Sequence, residues 1–378
     1  MTYSDISPVQ EQSASEGVSK SIVIIGPIAG KNIPAPGGFE AANRRLSDLQ
    51  ERLGFNVFEC AYSGGETHGS LSKLSVYHRS FRKIKNDATQ CSTNTLCHIT
   101  PLYKQFLLWE YMLVKRLKRN DNKVIIDLRA GRLVKDYEKF GPLYQHLFRK
   151  FMDLADAISV EGERFIPFLQ EMRPDLTIHH LPNFILDNEI PSTVPPKPND
   201  IIRFVYVGAV NDAKGVKHGA QLVKALHEKG IKVQFDVFGR VSSDFKNEVS
   251  EILNAPEILK FHGPQPYPKI QAALSKAHFF VFLSHWYGEG HSNALTEAMS
   301  QGCIPIVTNH GFSEQIAGDA SFVVEDRDNL GQTIDSIKSL LSSSGDMQTW
   351  HQKNLDSVKD NFSERAISEI LNSLYRLT

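Results

Sequence analysis

Short runs of β-branched and aromatic residues alternate with longer stretches at helical spacing, and the pattern occurs twice. In the first half the strand-like runs are 21–25, 57–60, 96–99, 124–127 and 157–160. In the second they are 203–207, 233–238, 279–283, 304–307 and 321–324, with helical patterns at 216–229, 267–276 and 293–301 between them. Strands that are apolar on both faces and separated by one helix each belong to parallel sheets covered on both sides. Between the halves lies PSTVPPKPND, residues 191–200, with four prolines. Proline continues neither a helix interior nor a central strand, so this segment reads as a stiff extended linker. The expected architecture is α/β, with two doubly wound Rossmann-like domains facing each other across a cleft. Ligands of such sheets bind outside the carboxyl ends of the strands.

The chain has 378 residues, of which 41% are hydrophobic and 22% charged, enough apolar matter for two cores. A formal net charge of -1 argues against a nucleic-acid binder. No apolar run approaches the roughly 20 residues of a membrane-spanning helix. Residues 1–20 lack a basic start and an apolar stretch, so they read as a disordered leader, not a signal peptide. Cys60, Cys91, Cys97 and Cys303 are too few and too scattered for a disulfide framework, which points to buried thiols in a reducing, cytoplasmic setting.

Charge is unevenly spread. Residues 71–120 hold ten Lys or Arg and only Asp87 and Glu110 as acids, and the basic residues bracket the aromatic stretch 103–112. Such a segment suits an anionic membrane surface, each cation near it contributing about 1 kcal/mol. A core helix with a solvated basic end is the plainer alternative. The membrane reading places the protein in the cytoplasm, peripheral on the inner face of the plasma membrane.

The residues with most chemical content lie in YGEGHSNALTEAMSQG, 287–302. A loop follows the strand ending near Leu283; Ser292 suits a helix N-cap and Gly302 the residue past its end. Glu289 then stands in the loop and Glu297 one turn inside the helix. The amides of His291, Ser292 and Asn293 at the positive helix end suit a phosphate. A carboxylate beside such a helix start can bind sugar hydroxyls, and a deeper one a ribose diol. Spacing alone leaves open that Glu289 decorates a loop and Glu297 a surface helix.

Here E-G-x-x-N-x-x-x-E-A resembles the signature of retaining glycosyltransferases of family four (glycosyltransferase group 1), which have the GT-B fold. VYVGAVNDAKGV (205–216) is similar to that family's first donor-domain strand with its Lys214–Gly215 pair. VQFDVFGR (233–240) and KFHGPQP (260–266) resemble the next two strand ends. GCIPIVTNHGFSEQIAGDASFVVEDRDNL (302–330) follows the family's strand, Gly-x-x-Glu turn and closing helix. FSERAISEILNSLY (362–375) is similar to its terminal helix, and APGGFEAANRRL (35–46) to its glycine-rich loop. The second half is covered nearly throughout, the first only in patches.

The resemblance implies an N-terminal acceptor domain (21–190), the linker, a C-terminal nucleotide-sugar domain (201–360) and a terminal helix (361–378) returning to the first domain. It implies that Glu289 contacts the transferred sugar, Glu297 the ribose, and Gly290, His291, Ser292 and Asn293 the diphosphate. Lys214 would neutralise the departing diphosphate. Gly37 and Gly38 would let backbone approach it without side-chain interference. Arg240 and Gly263 would lie at the base pocket.

Three departures stand out. Ala209 occupies a position commonly held by arginine, leaving Arg240 or Arg129 as the replacement cation. Where many members have a first-domain histidine, IIDLRAGR offers Asp127, Arg129 and Arg132 for acceptor or phosphate. An internal Asp127–Arg129 pair is an equal alternative. Gly288 stands where relatives carry a larger residue. His291 or His285 could reach the sugar, and His98 could line the first-domain cleft. Asp326-Arg327-Asp328 matches a D-x-D metal pattern but reads as a helix start, so no metal or cofactor is expected.

The implied function is transfer of a sugar from a nucleoside diphosphate donor, UDP ahead of GDP, to a hydroxyl of a lipid-linked or growing surface saccharide. Two alternatives share the architecture. They are a non-catalytic nucleotide-sugar-binding protein and a sugar-nucleotide 2-epimerase.

Overall fold

A computed structural model describes residues 21–31, 37–62, 81–82, 84, 94–255 and 257–376. The leader 1–20 and much of the basic stretch before residue 94 lie outside the described residues.

The first sheet contains β1 (Ser21–Gly26), β2 (Asn56–Ala61), β3 (Leu96–Ile99), β4 (Lys123–Leu128), β5 (Ala157–Val160) and β6 (Ile178–His180), ordered β2-β1-β3-β4-β5-β6. The second contains β7 (Ile202–Val207), β8 (Val233–Phe238), β9 (Leu259–Gly263), β10 (Phe279–Phe282), β11 (Ile304–Thr308) and β12 (Phe322–Val324), ordered β12-β11-β10-β7-β8-β9. Every strand pairing is parallel. Strand order reverses between β1 and β3 in one sheet and between β7 and β10 in the other, and a crevice opens at each reversal. The expected two doubly wound domains are therefore present. β6 escapes the sequence reading because its three residues, Ile-His-His, carry no apolar run.

The central strands are buried through their length, including all six residues of β8 and all four of β10. Phe204 and Phe279 stack across the β7–β10 pair at 5.0 Å, filling the core below the crevice. The linker makes neither helix nor strand. Lys197 pins it to the second domain by donating to the carbonyls of Leu274, Ser275 and Gln301. Helix Glu364–Arg376 crosses back: its Ile367, Leu371, Leu374 and Tyr375 pack with Ile22, Ile24, Leu46 and Leu49 of the first domain. No helix among the described residues is long and apolar enough to cross a membrane.

Candidate active site

Lys214 follows β7 and Glu289 follows β10, so the strand-order reversal of the second sheet sets them side by side although they are far apart in sequence. Lys214 Nζ lies 2.7 Å from Glu289 Oε2. Ser284 donates to the same carboxylate oxygen. The ammonium also lies 5.9 Å from the ring centroids of Phe282 and Trp286. Gly215, at φ 74°, makes the turn that lets Lys214 reach the crevice, and a Cβ there would meet the Leu283 carbonyl oxygen at 2.0 Å. Ser292 caps helix Asn293–Ser300 by accepting from Leu295 N–H at 3.4 Å, as its sequence position predicts.

The first domain approaches this loop closely. A Cβ on Gly131 would stand 2.0 Å from the Glu289 carbonyl oxygen, and one on Gly290 would stand 2.4 Å from Glu161 Oε1. Arg164 ties the walls together, donating to the carbonyls of Gly311 at 2.7 Å and Gly131 at 3.1 Å. Asn293 donates to the Gly38 carbonyl at 3.1 Å, so the starts of helices Gly38–Arg52 and Asn293–Ser300 meet across the cleft. Their positive ends favour an anion between them.

Between the walls lies a cavity of about 420 Å3 lined by Gly38, Lys104, Arg129, Arg132, Glu161, Asn183, Lys214, Trp286, Glu289, Gly290 and His291, among others. Of the residues singled out from sequence, it thus gathers Gly38, Arg129, Arg132, Lys214, Glu289, Gly290 and His291. Gly37, Asp127, Arg240, Gly263, Ser292, Asn293 and Glu297 are not in its lining. Arg240 follows β8 and Gly263 ends β9, further along the second sheet, and Arg240 is exposed. Glu297 is bound at 2.7 Å by Arg45 of the first domain; burial raises its pKa while Arg45 pulls it back.

Asp127 is fully buried behind the cavity. It accepts from Arg129 Nε at 2.7 Å and Ser159 Oγ at 3.0 Å, and His98 Nε2 lies 3.4 Å away. Burial pushes its pKa up, but Arg129 and His98 outweigh this and hold it at about 2. The internal Asp127–Arg129 pair is thus the arrangement present, and it orients the guanidinium toward Asn183, 2.6 Å from Nη1. His98 does not line the cleft: it is inaccessible and bonded to Tyr375 Oη at 3.0 Å. The His291 ring is also turned inward, 2.8 Å from Thr296 Oγ1 and edge-on to Phe362. Burial lowers its pKa to about 3, so the ring is neutral. His285 is elsewhere, against Arg327. Asp326 accepts the Asp328 N–H at 2.9 Å in a turn before helix Gly331–Leu341, and Asp328 pairs with His218 at 3.2 Å.

Sequence reasoning missed Glu161, Lys104, Asn183, Arg45 and Gly131. Glu161 is the first residue after β5, so reading off the polar residue beyond each strand's carboxyl end would have found it. Burial raises its pKa to about 7, opposed by Arg129 and assisted by Asp127. Asn183 follows the unread strand β6. Nothing local marks Gly131, whose need for glycine is set by the other domain.

Residues 188–356 match the model of "Glycosyl transferases group 1". The second half of this chain thus matches a group 1 glycosyltransferase domain. No curated protein sequence matches significantly. Among solved structures, sucrose-phosphate synthase from Thermosynechococcus elongatus is similar with a TM-score of 0.71 at 16% identity, over 94% of this chain and 98% of that one. A UDP-forming α,α-trehalose-phosphate synthase from Burkholderia xenovorans is similar at TM-score 0.65 and 12% identity, covering 95% and 98%. The pneumococcal O-GlcNAc transferase GtfA, solved with UDP and GlcNAc, is similar at TM-score 0.60 and 14% identity, covering 80% and 60%. At these identities the likeness establishes the fold, and the two parallel sheets are those of GT-B proteins.

Proposed function

We propose that the protein is a retaining, metal-independent glycosyltransferase that moves a sugar from a nucleoside diphosphate donor to a saccharide hydroxyl. The observation that carries this reading is the Lys214–Glu289 pair at the second sheet's switch point, beside the start of helix Asn293–Ser300 and under the Gly131 loop. As the bond from the sugar's anomeric carbon to the diphosphate breaks, its electron pair stays on the leaving oxygen. Lys214 and the helix start stabilise that charge, a type of contribution worth about 10²–10³ in rate. Glu289 would then hold sugar hydroxyls, and Trp286, partly exposed at the cavity, offers a face for a sugar ring. Domain closure excludes water that would otherwise hydrolyse the donor.

The donor is a UDP-sugar in preference to a GDP-sugar, a reading favoured by the UDP complex of GtfA. The acceptor is a lipid-linked or growing polysaccharide presented at the inner face of an anionic membrane. On helix Leu107–Lys118, Leu108 and Met112 are exposed, as are Phe140, which precedes its packing partner Gly141–Met152, and Leu143 within that partner. Arg82, Lys115, Arg116 and Arg119 line a groove of about 400 Å3 with Met112 and Trp109. Lys118 does not join them, being held by Asp156 at 2.6 Å.

A thermal-shift screen with UDP, GDP, ADP, CMP and dTDP tests the donor reading. One diphosphate should raise Tm in the wild type and not in Glu297→Ala; at a hundred times its Kd a ligand adds about 2.7 kcal/mol. Donor conversion without acceptor would favour the epimerase, and nucleotide binding without transfer the non-catalytic protein. Cosedimentation with anionic vesicles at low salt tests the membrane reading, which fails if charge reversal at Lys115, Arg116 and Arg119 changes nothing.

A further inference from the structure

Four cations line the cleft cavity, Lys104, Arg129, Arg132 and Lys214, against two carboxylates, Glu161 and Glu289. Glu289 is bound by Lys214 and Ser284, and burial keeps Glu161 at about 7. The other carboxylates stand behind the first-domain cations. Asp127 backs Arg129, while Asp136 lies 3.1 Å from Lys104 Nζ and 3.6 Å from Arg132 Nε. Arg129 is nearly inaccessible, its side chain only 2% exposed, yet its Nη2 has no hydrogen-bond partner. Arg132 Nε likewise has none, and its guanidinium lies 4.7 Å above the Tyr287 ring.

The backbone is built to hold this arrangement. Tyr103 and Lys104 adopt positive φ, 42° and 51°, a strained region for side-chain-bearing residues. Buried Glu110 accepts both Leu102 N–H at 2.6 Å and Tyr103 N–H at 2.9 Å, and the Lys104 N–H donates to Tyr144 Oη at 3.1 Å. Tyr103 Oη donates to Asp136 at 3.0 Å. The loop is thereby clamped where Lys104 borders the cavity opposite Lys214.

We propose that Lys104, Arg129 and Arg132 form an oxyanion subsite on the first-domain wall, and that the acceptor carries a phosphate group bound there. This rests on the glycosyl-transfer reading, with Lys214 and the helix start serving the donor diphosphate and the first-domain cations serving a second one. Planar guanidinium groups suit phosphate because they can donate two parallel hydrogen bonds. The phosphate can belong to a soluble sugar phosphate or to the diphosphate of a lipid-linked saccharide.

The test uses full-length protein saturated with the nucleoside diphosphate found in the screen above, so that donor phosphate positions are filled. Inorganic phosphate is then titrated calorimetrically, followed by hexose 6-phosphates, their neutral parent hexoses and a short isoprenyl diphosphate. Wild type should bind phosphate, and Lys104→Ala and Arg132→Ala should each weaken it about tenfold while nucleotide affinity stays within twofold. Preference for the hexose phosphates or for the isoprenyl diphosphate identifies the source. The proposal is overturned if nucleotide-saturated wild type binds no phosphate, if neutral hexoses bind as well as their phosphates, or if the variants lose nucleotide in equal measure. Failure of any nucleotide to bind would instead sink the transferase reading.

Discussion

Both sheets are all-parallel and reverse strand order once, but they treat their switch points differently. In the first, Asn43 from helix Gly38–Arg52 plugs the crevice between β1 and β3, donating to the Pro27 carbonyl and Thr100 Oγ1, each at 2.8 Å. Gly26 is pressed against Thr100, whose hydroxyl would stand 1.9 Å from any Cβ there. In the second, the crevice between β7 and β10 holds Lys214 and Glu289 at the rim of a cavity. The first domain contributes charge to that cavity from beyond the ends of β3, β4 and β5, through Lys104, Arg129 and Glu161. Fold topology offers a site; the side chains at the strand ends decide whether it is filled or left open.

This contrast can be broken most directly at Lys214. Lys214→Ala should lower transfer by about 10²–10³ in protein whose circular dichroism stays that of the wild type, measured as sugar transferred per minute under saturating donor. An unchanged rate would remove the second crevice from the chemistry. On the first-domain side, Asp127→Asn leaves Arg129 buried without a counter-charge and should cost about 3 kcal/mol in denaturant unfolding. The same pair sets a pH dependence. Because Asp127 is held near 2 in the folded protein, its contribution is present above the unfolded value near 4 and is lost as pH falls through 2. In Asp127→Asn the acid-side decline should be shallower.

Gly131→Ala asks whether the walls must touch. Its new methyl group would overlap the Glu289 carbonyl, so the domains should separate and transfer should fall about 100-fold. Circular dichroism of the variant should remain that of the wild type. The smallest effect is expected at Glu161. Its folded pKa, about 7, exceeds the unfolded value, so the folded state holds the proton more tightly between about 4.5 and 7 and loses stability as pH rises through that window. Glu161→Gln should flatten this slope, a difference of about 2–3 kcal/mol between pH 5 and 8. A slope identical to wild type would mean that the carboxyl is not confined as the structure shows.

The sequence by itself determined the alternation of strands and helices, and with it two parallel sheets. It also determined the loop–cap–helix unit carrying Glu289, Ser292 and Glu297, because each rests on neighbours within about ten residues. Strand periodicity, an N-capping serine and glycine past the helix end are local requirements of the backbone. Tertiary structure decided what those residues face. Glu297 meets Arg45, His291 turns its ring to Thr296 and Phe362, and Asp127 disappears behind Arg129. Glu161 acquires its character from burial beside Gly290 and from Arg129 and Asp127 nearby. Each of these depends on the approach of one domain to the other or on packing between distant strands. No local pattern encodes such desolvation and pairing, which arise only when the folded chain removes those side chains from water.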